Sequence, residues 1–310
     1  HAAAERYATY LSGEVYSTRL SIGTNKQWMQ RTWSLFKQRR RAQQHHSQHW
    51  SATTPLAQWT APYDMQAEGL QSQPFTPAEL TRALKRLNYQ TTCGPDQILP
   101  RFLQHGTAML ERCLLRLISK SFSSTQVPAA WRLARVVTIK KTTTSSTAAT
   151  LKDFRPISIT NIFGRIAEAM VVYRMECQLE RDPTLTGCLD PHQHGFRPGR
   201  SLDEHVAYLH SSFQSHLSLG RMVAFISLDW TKAYDTVTLS ILYNRLLATG
   251  IHLSLCSWIW AFLRGRLFYV EIDGKRSATR QQRQGLPQGC ISSPLLWTIY
   301  LNPLIKQLSE

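Results

Sequence analysis

The sequence predicts an α+β fold, and three observations carry that reading. Capping signals stand in front of segments with apolar residues at helical spacing, as in "FTPAELTRALKRL" (75–87). Stretches rich in β-branched residues, such as "WRLARVVTIKK" (131–141), read as strands. A mostly apolar run, Val223 to Leu228, ends abruptly in Asp229 and reads as a buried strand with an acid at its tip.

Taken in order, residues 1–75 form a basic, polar extension or linker rich in Gln, Ser, His and Arg, with no evident continuous core. His45 and His49 have i,i+4 spacing but no third ligand, so they read as polar filler. Thr76, Pro77 and Glu79 start a helix with Leu80, Leu84 and Leu87 on one face. Gly94-Pro95 breaks it, and a second helix is expected over roughly 100–122. After strand 131–141, "TTTSSTAAT" (142–150) is a low-complexity loop. "FRPISI" (154–159) starts extended because Pro156 disfavours helix at Arg155, and a long amphipathic helix follows. "HQHGFRPGRS" (192–201) is a Gly/Pro-punctuated loop, with Ser201 as N-cap and Glu204 at N3 of the next helix. Beyond the 223–228 strand, helices are expected near 238–249 and over 252–263. A hairpin turning at Asp273-Gly274 comes next, then a Gly-rich loop, then a helix from about Pro294.

The 310 residues, 43% hydrophobic and 18% charged, suffice for one large domain or two smaller ones. No window approaches 18 uncharged apolar residues, and no signal peptide is evident. The sequence starts at His1 rather than Met, so a start codon or leader is expected to lie outside it. The formal net charge of +16 points to a polyanionic partner, nucleic acid before acidic lipid. The six cysteines form no C-x-x-C pair and read as scattered reduced thiols of an intracellular protein. Cys188, His192 and His194 have ligand-like spacing but flank a Gly-Phe-Arg loop, and zinc is not expected there.

Desolvating a lone carboxylate is costly unless something compensates it, and a cation is one such partner. Asp229 with the Trp230 carbonyl offers the hard oxygen donors that Mg²⁺ takes. A strand-ending Asp is, however, more often a cap or turn residue. Other stretches shift that balance: "CGPDQI" (93–98), "FRPISI", "QHGFRPGRS" (193–201), "FISLDWTKAYDTV" (225–237) and "QGLPQGCISSPLLWTIYLN" (284–302), in this order.

Together with 131–141, these motifs resemble, in register, the reverse transcriptases of non-LTR (LINE-type) retrotransposons, over residues 76–310. The resemblance implies a right-hand polymerase fold: fingers over 76–220, with helices and strands, and the first part of a palm sheet over 221–310. It implies an RNA-directed DNA polymerase that works through two Mg²⁺ ions, Mn²⁺ being the alternative metal. Asp229 would be the catalytic residue and metal ligand, helped by the Trp230 carbonyl. Lys140 or Lys141 and Arg155 would contact the triphosphate of an incoming dNTP. Tyr234 would stand under its sugar as a steric gate, Gln288 would touch the sugar, and Gly289 would admit the nascent base pair. Arg197 and Arg200 would make template or phosphate contacts. The basic residues around the hairpin, among them Arg264, Arg266, Arg280 and Arg283, would suit a phosphate backbone. Asp235 would be structural, pairing with a basic group or capping a helix. The partners implied are an RNA template and a DNA primer, with no membrane, and the family places the protein in the nucleus. "KQRRR" (37–41) is too common a run to serve as evidence of that.

The family's second acidic pair lies in a Y/F-A-D-D hairpin downstream of the helix from Pro294. No Asp-Asp pair occurs in these residues. The expectation is therefore a fragment, with the second catalytic hairpin and the thumb absent, supplied in a parent polypeptide and inactive without them. A non-catalytic RNA-binding or scaffold protein derived from such a polymerase is the alternative.

Overall fold

Thr76 and Glu79 close on each other at the first helix. The Glu79 amide donates to the Thr76 hydroxyl at 3.3 Å, and the Thr76 amide donates to the Glu79 carboxylate at 2.8 Å. Two otherwise unpaired N–H groups are thereby satisfied, which fixes the start of α1 (Pro77–Arg86). The computed structural model describes residues 74–87, 92–141, 153–181, 185 and 188–309. The polar extension up to residue 73, with His45, His49 and the 37–41 run, lies outside the described residues, as does the low-complexity loop 142–150. Among the described residues, 74–224 and 232–309 form one unit, and Phe225–Thr231 belong to a second.

In the first unit α1 is followed by α2 (Pro100–Gln104), α3 (Ala108–Ser123), the single turn α4 (Ala129–Arg132), β1 (Leu133–Lys140) and β2 (Phe154–Thr160). Then come α5 (Ile162–Arg181), α6 (Leu202–Ser218), a 3-10 turn at Tyr234–Thr236, α7 (Leu239–Ala248) and α8 (Leu253–Leu263). β3 (Leu267–Ile272), β4 (Lys275–Arg276), β5 (Arg280–Gln281) and α9 (Ser293–Ser309) complete it. This is the α+β arrangement expected. All six cysteines are unpaired. No helix among the described residues is long and apolar enough to cross a membrane.

The sheet has the order β2-β1-β3-β4, with β5 also on β3. β1 runs antiparallel to β2, Ala134 facing Thr160, and parallel to β3, Leu133 facing Leu267. Strands from both sides of residue 220 thus share one sheet. Its buried side carries Ala134, Val136, Phe268 and Val270, with Phe154 and Ile272 packed on them. The helical core centres on α5, where Ile166, Ala167 and Val171 are wholly buried, and on α8, where Trp258 stacks on Phe262 at 5.4 Å. Fully burying one such side chain contributes ~1.5–3 kcal/mol.

The Gly-Pro-Asp segment acts as a clamp. Asp96 accepts from the Ile162 amide at 2.6 Å and so caps α5 from a distance. Arg135 holds the Cys93 carbonyl at 2.8 Å and pairs with Glu271 at 2.9 Å, tying this segment to β1 and β3.

Two expectations are corrected. The helix expected over 100–122 is two helices, because Gly106 interrupts it and Thr107 begins a new one by accepting from the Leu110 amide. The strand expected at 223–228 is not formed. Residues 221–230 have no regular structure, and Phe225, Ile226 and Leu228 are more than half exposed. A strand stands only where a neighbour takes its amides and carbonyls, and none of the five described strands pairs with this segment. The hairpin turn agrees with its reading: Asp273 and Gly274 both have positive φ, 49° and 72°, as a type I′ turn requires.

Gly94 lies flat on the end of β2, and a Cβ there would fall 2.2 Å from the Thr160 carbonyl oxygen. Gly94→Ala is therefore expected to destabilise the chain by ~1–3 kcal/mol through overpacking. An unchanged urea midpoint would show that the clamp yields at no cost.

Candidate functional site

The loop 284–292, "QGLPQGCIS", is held in place mainly through its backbone. The Gly285 amide donates to the Val237 carbonyl at 2.9 Å, and the Leu286 amide to the Tyr234 carbonyl at 2.8 Å. In the middle of the loop the Gln288 carbonyl accepts from the Ser158 amide on β2 at 2.7 Å. The Pro287 carbonyl accepts from the Ser293 hydroxyl at 2.7 Å. Two glycines allow this closeness. Gly285 (φ +83°) leaves no room for a Cβ, which would fall 3.0 Å from the Tyr234 and Asp235 carbonyl oxygens. Gly289 (φ +107°) would bring one 3.0 Å from the Ser158 carbonyl oxygen.

The far end of the loop is fixed by a carboxylate. Glu168, in the middle of α5, is wholly buried and accepts from the Ser292 amide at 2.9 Å and its hydroxyl at 2.5 Å. Burial pushes its carboxyl above the usual range, although the Ser292 hydrogen bonds and the charge of Arg266 pull the other way. Cys290 shares this interior, and burial pushes its thiol up to about 12. It is a packed group here, not a nucleophile.

Three separate motifs therefore meet. β2 brings Pro156 and Ser158, the 3-10 turn brings Asp235, and the loop brings Gln284, Leu286, Pro287 and Gln288 to one open cavity of about 60 Å³. Enclosing ligand pockets measure roughly 300–1,000 Å³. The cavity is thus a floor against which a ligand lies, not a container. Burial raises the Asp235 carboxyl, opposed by the charges of Lys232 and Lys141. Tyr234 stands edge-on to Trp297 at 5.9 Å, which fixes its ring from one side.

The residues expected to act have different fates. Tyr234 and Gln288 are brought to the loop and turn, with Gly289 beside them. Lys140 and Arg155 are exposed on neighbouring strands, and the Lys141 amide donates to the Asp153 carbonyl at 2.8 Å. Arg283 is exposed, and Arg264 and Arg280 are partly so. Arg200 is exposed and lies 3.2 Å from Glu204. Asp229 and Trp230 are exposed in the second unit.

Two arginines do not fit the surface role. Arg266 is 1% exposed, lies over the Phe262 ring at 4.7 Å and donates to the Cys290 sulfur at 3.7 Å. Its stem is packed away before its charge can reach a phosphate. Arg197 makes a two-pronged pair with Glu180 at 2.8 and 2.9 Å and holds the Asp190 carbonyl, so its donors are spent on the fold.

Sequence reading missed Glu168, Ser158 and Gln284, and it gave Asp235 only a structural part. Glu168 had a signal: in "IAEAMVV" a charged residue is surrounded by apolar ones, so it must be buried. Among the described residues no cluster of three or more His, Cys, Asp or Glu could hold a metal ion, so Cys188, His192 and His194 form no such group.

Residues 139–310, more than half of the chain, match the family model for reverse transcriptase (RNA-dependent DNA polymerase). The chain belongs to the reverse transcriptase family. Among its relatives, the retrovirus-related Pol polyprotein from type-2 retrotransposable element R2DM of Drosophila melanogaster is 25% identical over 223 residues, covering 72% of this chain and 20% of that protein. The RNA-directed DNA polymerase from mobile element jockey of the same organism is 26% identical over 181 residues, 57% of this chain and 19% of that protein. The probable RNA-directed DNA polymerase from transposon BS is 25% identical over 235 residues, 74% of this chain and 24% of that protein. The chain spans about a fifth of the length of the curated relatives it matches. These matches bear out the resemblance to non-LTR retrotransposon reverse transcriptases, and the matched segment contains the whole loop and its anchors.

Glu168→Ala removes the acceptor for both Ser292 donors. Hydrogen bonds to charged groups contribute ~1.5–3 kcal/mol each, so a loss of ~3 kcal/mol is expected. Glu168→Gln keeps an acceptor oxygen and should lose clearly less. The check is urea unfolding of both variants, and equal losses would show that the acceptor is not what fixes the loop.

Proposed function

We propose that this chain is the nucleotide-selecting part of an RNA-directed DNA polymerase, which places an incoming dNTP against an RNA template and a DNA primer. The observation that carries the reading is the meeting of three motifs, Arg-Pro-Ile-Ser, Tyr-Asp-Thr and Gln-Gly-Leu-Pro-Gln-Gly, around one cavity floor. Nucleotidyl transfer is mostly positioning and charge neutralisation, and a rigid floor beside exposed cations supplies both.

In this reading residues 76–220 are fingers and 221–310 the first part of a palm. Lys140 or Lys141, with Arg155, takes the triphosphate, Arg155 through its planar fork. Gln288 touches the sugar, and Tyr234 excludes the 2′-OH by volume. Gly289 lets the nascent base pair come close. Arg200, Arg264, Arg280 and Arg283 lie along the template or primer backbone, without Arg197 and Arg266. The nucleus is where such an enzyme would meet chromosomal DNA.

Asp229 is the metal ligand by its place in the motif alone. One carboxylate and the Trp230 carbonyl match part of a Mg²⁺ shell, because Mg²⁺ is commonly held by one or two carboxylates plus substrate phosphates. When bound, the ion (Mg²⁺ or Mn²⁺) neutralises charge on the phosphates. The 310 residues hold no Asp-Asp pair. Primer extension is therefore expected from a polypeptide that adds such a pair in frame, and not from these residues alone.

The test is extension of a DNA primer on an RNA template by such a polypeptide, with dNTPs or rNTPs. Asp229→Ala should lower extension by ~10²-fold or more while RNA affinity holds. Tyr234→Ala should keep DNA synthesis and raise relative ribonucleotide use by roughly 10²-fold. Wild-type extension by Asp229→Ala, or unchanged sugar discrimination by Tyr234→Ala, would refute the assignment.

A further inference from the structure

We infer that the outward face of α3 is a docking surface for a nucleic-acid phosphate backbone, separate from the cavity. The inner face of α3 is Leu114, Ile118, Ser121 and Phe122, all buried. At about 100° per residue, Arg112, Arg116 and Lys120 fall on the opposite side within an arc of about 80°. All three are exposed. The one acid of the helix, Glu111, points away from that arc.

Among the described residues the three cations have no counter-charge. On neighbouring α1, Arg82 lies over the Tyr173 ring at 4.3 Å and Arg86 lies 3.8 Å from Glu176, so α5 answers both. Arg112, Arg116 and Lys120 make no ion pair or side-chain hydrogen bond with any described residue. Like charges four residues apart repel one another, so the row opposes its own helix unless an anion covers it. It runs ~12 Å along the axis. Three to four phosphates of one strand, spaced ~3.4 Å along a duplex axis, match that length.

The fold also favours nucleic acid over a lipid surface. An interfacial helix inserts its apolar side into the membrane. The apolar side of α3 is already spent on Ile118 and Phe122 in the core. What it presents outward is a line of cations flanked by single apolar side chains, Met109 and Leu117.

The test needs no polymerisation, so it stands or falls apart from the polymerase reading. Binding of labelled single-stranded RNA and of duplex DNA to the 310-residue chain is followed by anisotropy over a salt series. Two triple variants are compared: Arg112→Gln, Arg116→Gln, Lys120→Gln, and a control with the same charge loss elsewhere, Arg101→Gln, Arg221→Gln, Lys306→Gln. The α3 triple should bind more weakly at low salt. Its log–log salt slope should be shallower by ~2 for a single strand, or ~3 for a duplex, with the control much closer to wild type. Because all three side chains are exposed and their mutual repulsion is relieved, the urea midpoint should not fall. An unchanged slope in the α3 triple, equal losses in both triples, or no binding by wild type would overturn the surface. So would a loss confined to phosphatidylserine vesicles with RNA binding intact.

Discussion

The pairing of one buried carboxylate with Ser292 holds the rest of the site in place. Glu168 takes two donors from a residue at the junction of the Gly-rich loop and α9. With that end fixed, the loop's shape follows from carbonyls and amides on β2 and the 3-10 turn. Position is thus set by backbone groups, which cannot rotate away as side chains do. The side chains of Gln284 and Gln288 are left over to line the cavity. The arrangement favours geometry over chemistry, which would suit the proposed nucleotidyl transfer, whose catalysis is mainly the holding of charged groups in line.

The formal charge of +16 counts basic residues of two kinds. Arg174 pairs with Glu79 at 2.6 Å while lying over Phe75 at 4.0 Å, and so joins α5 to α1. Arg135 and Arg197 bind their own carboxylates in the same way. These serve as braces, and their charge is answered inside the fold. The field felt by a polyanion comes from the others, on α3 and along the strands. Total charge alone does not distinguish the two kinds.

Local signals are legible in the sequence. The capping box at Thr76, the Ser201 cap and the Asp273-Gly274 turn depend on residues within four positions of one another, so spacing is enough. The three motifs that build the floor were also visible as Gly/Pro punctuation and as a family pattern. Less legible was anything decided at long range. Arg266 reads as a surface cation because nothing nearby in sequence shows that Cys290, 24 residues on, will help to enclose it. The acid clamp of Asp96 on α5 spans 66 residues. The 223–228 run had a strand's composition, but composition does not supply a neighbour to pair with.

The parallel pairing of β1 with β3 has a kinetic side. Leu133 and Leu267 face each other, yet everything between them must be synthesised before they can meet. At ~5–20 residues per second of translation, the β1–β2 ribbon waits on the order of ten seconds with one edge open. Antiparallel β2 reaches β1 early, and the last partner arrives late and from far away. A nascent chain therefore spends that interval with Val136 and its neighbours uncovered, and it is in this window, rather than in the finished fold, that a chaperone or a second copy of the chain would find an edge to seize.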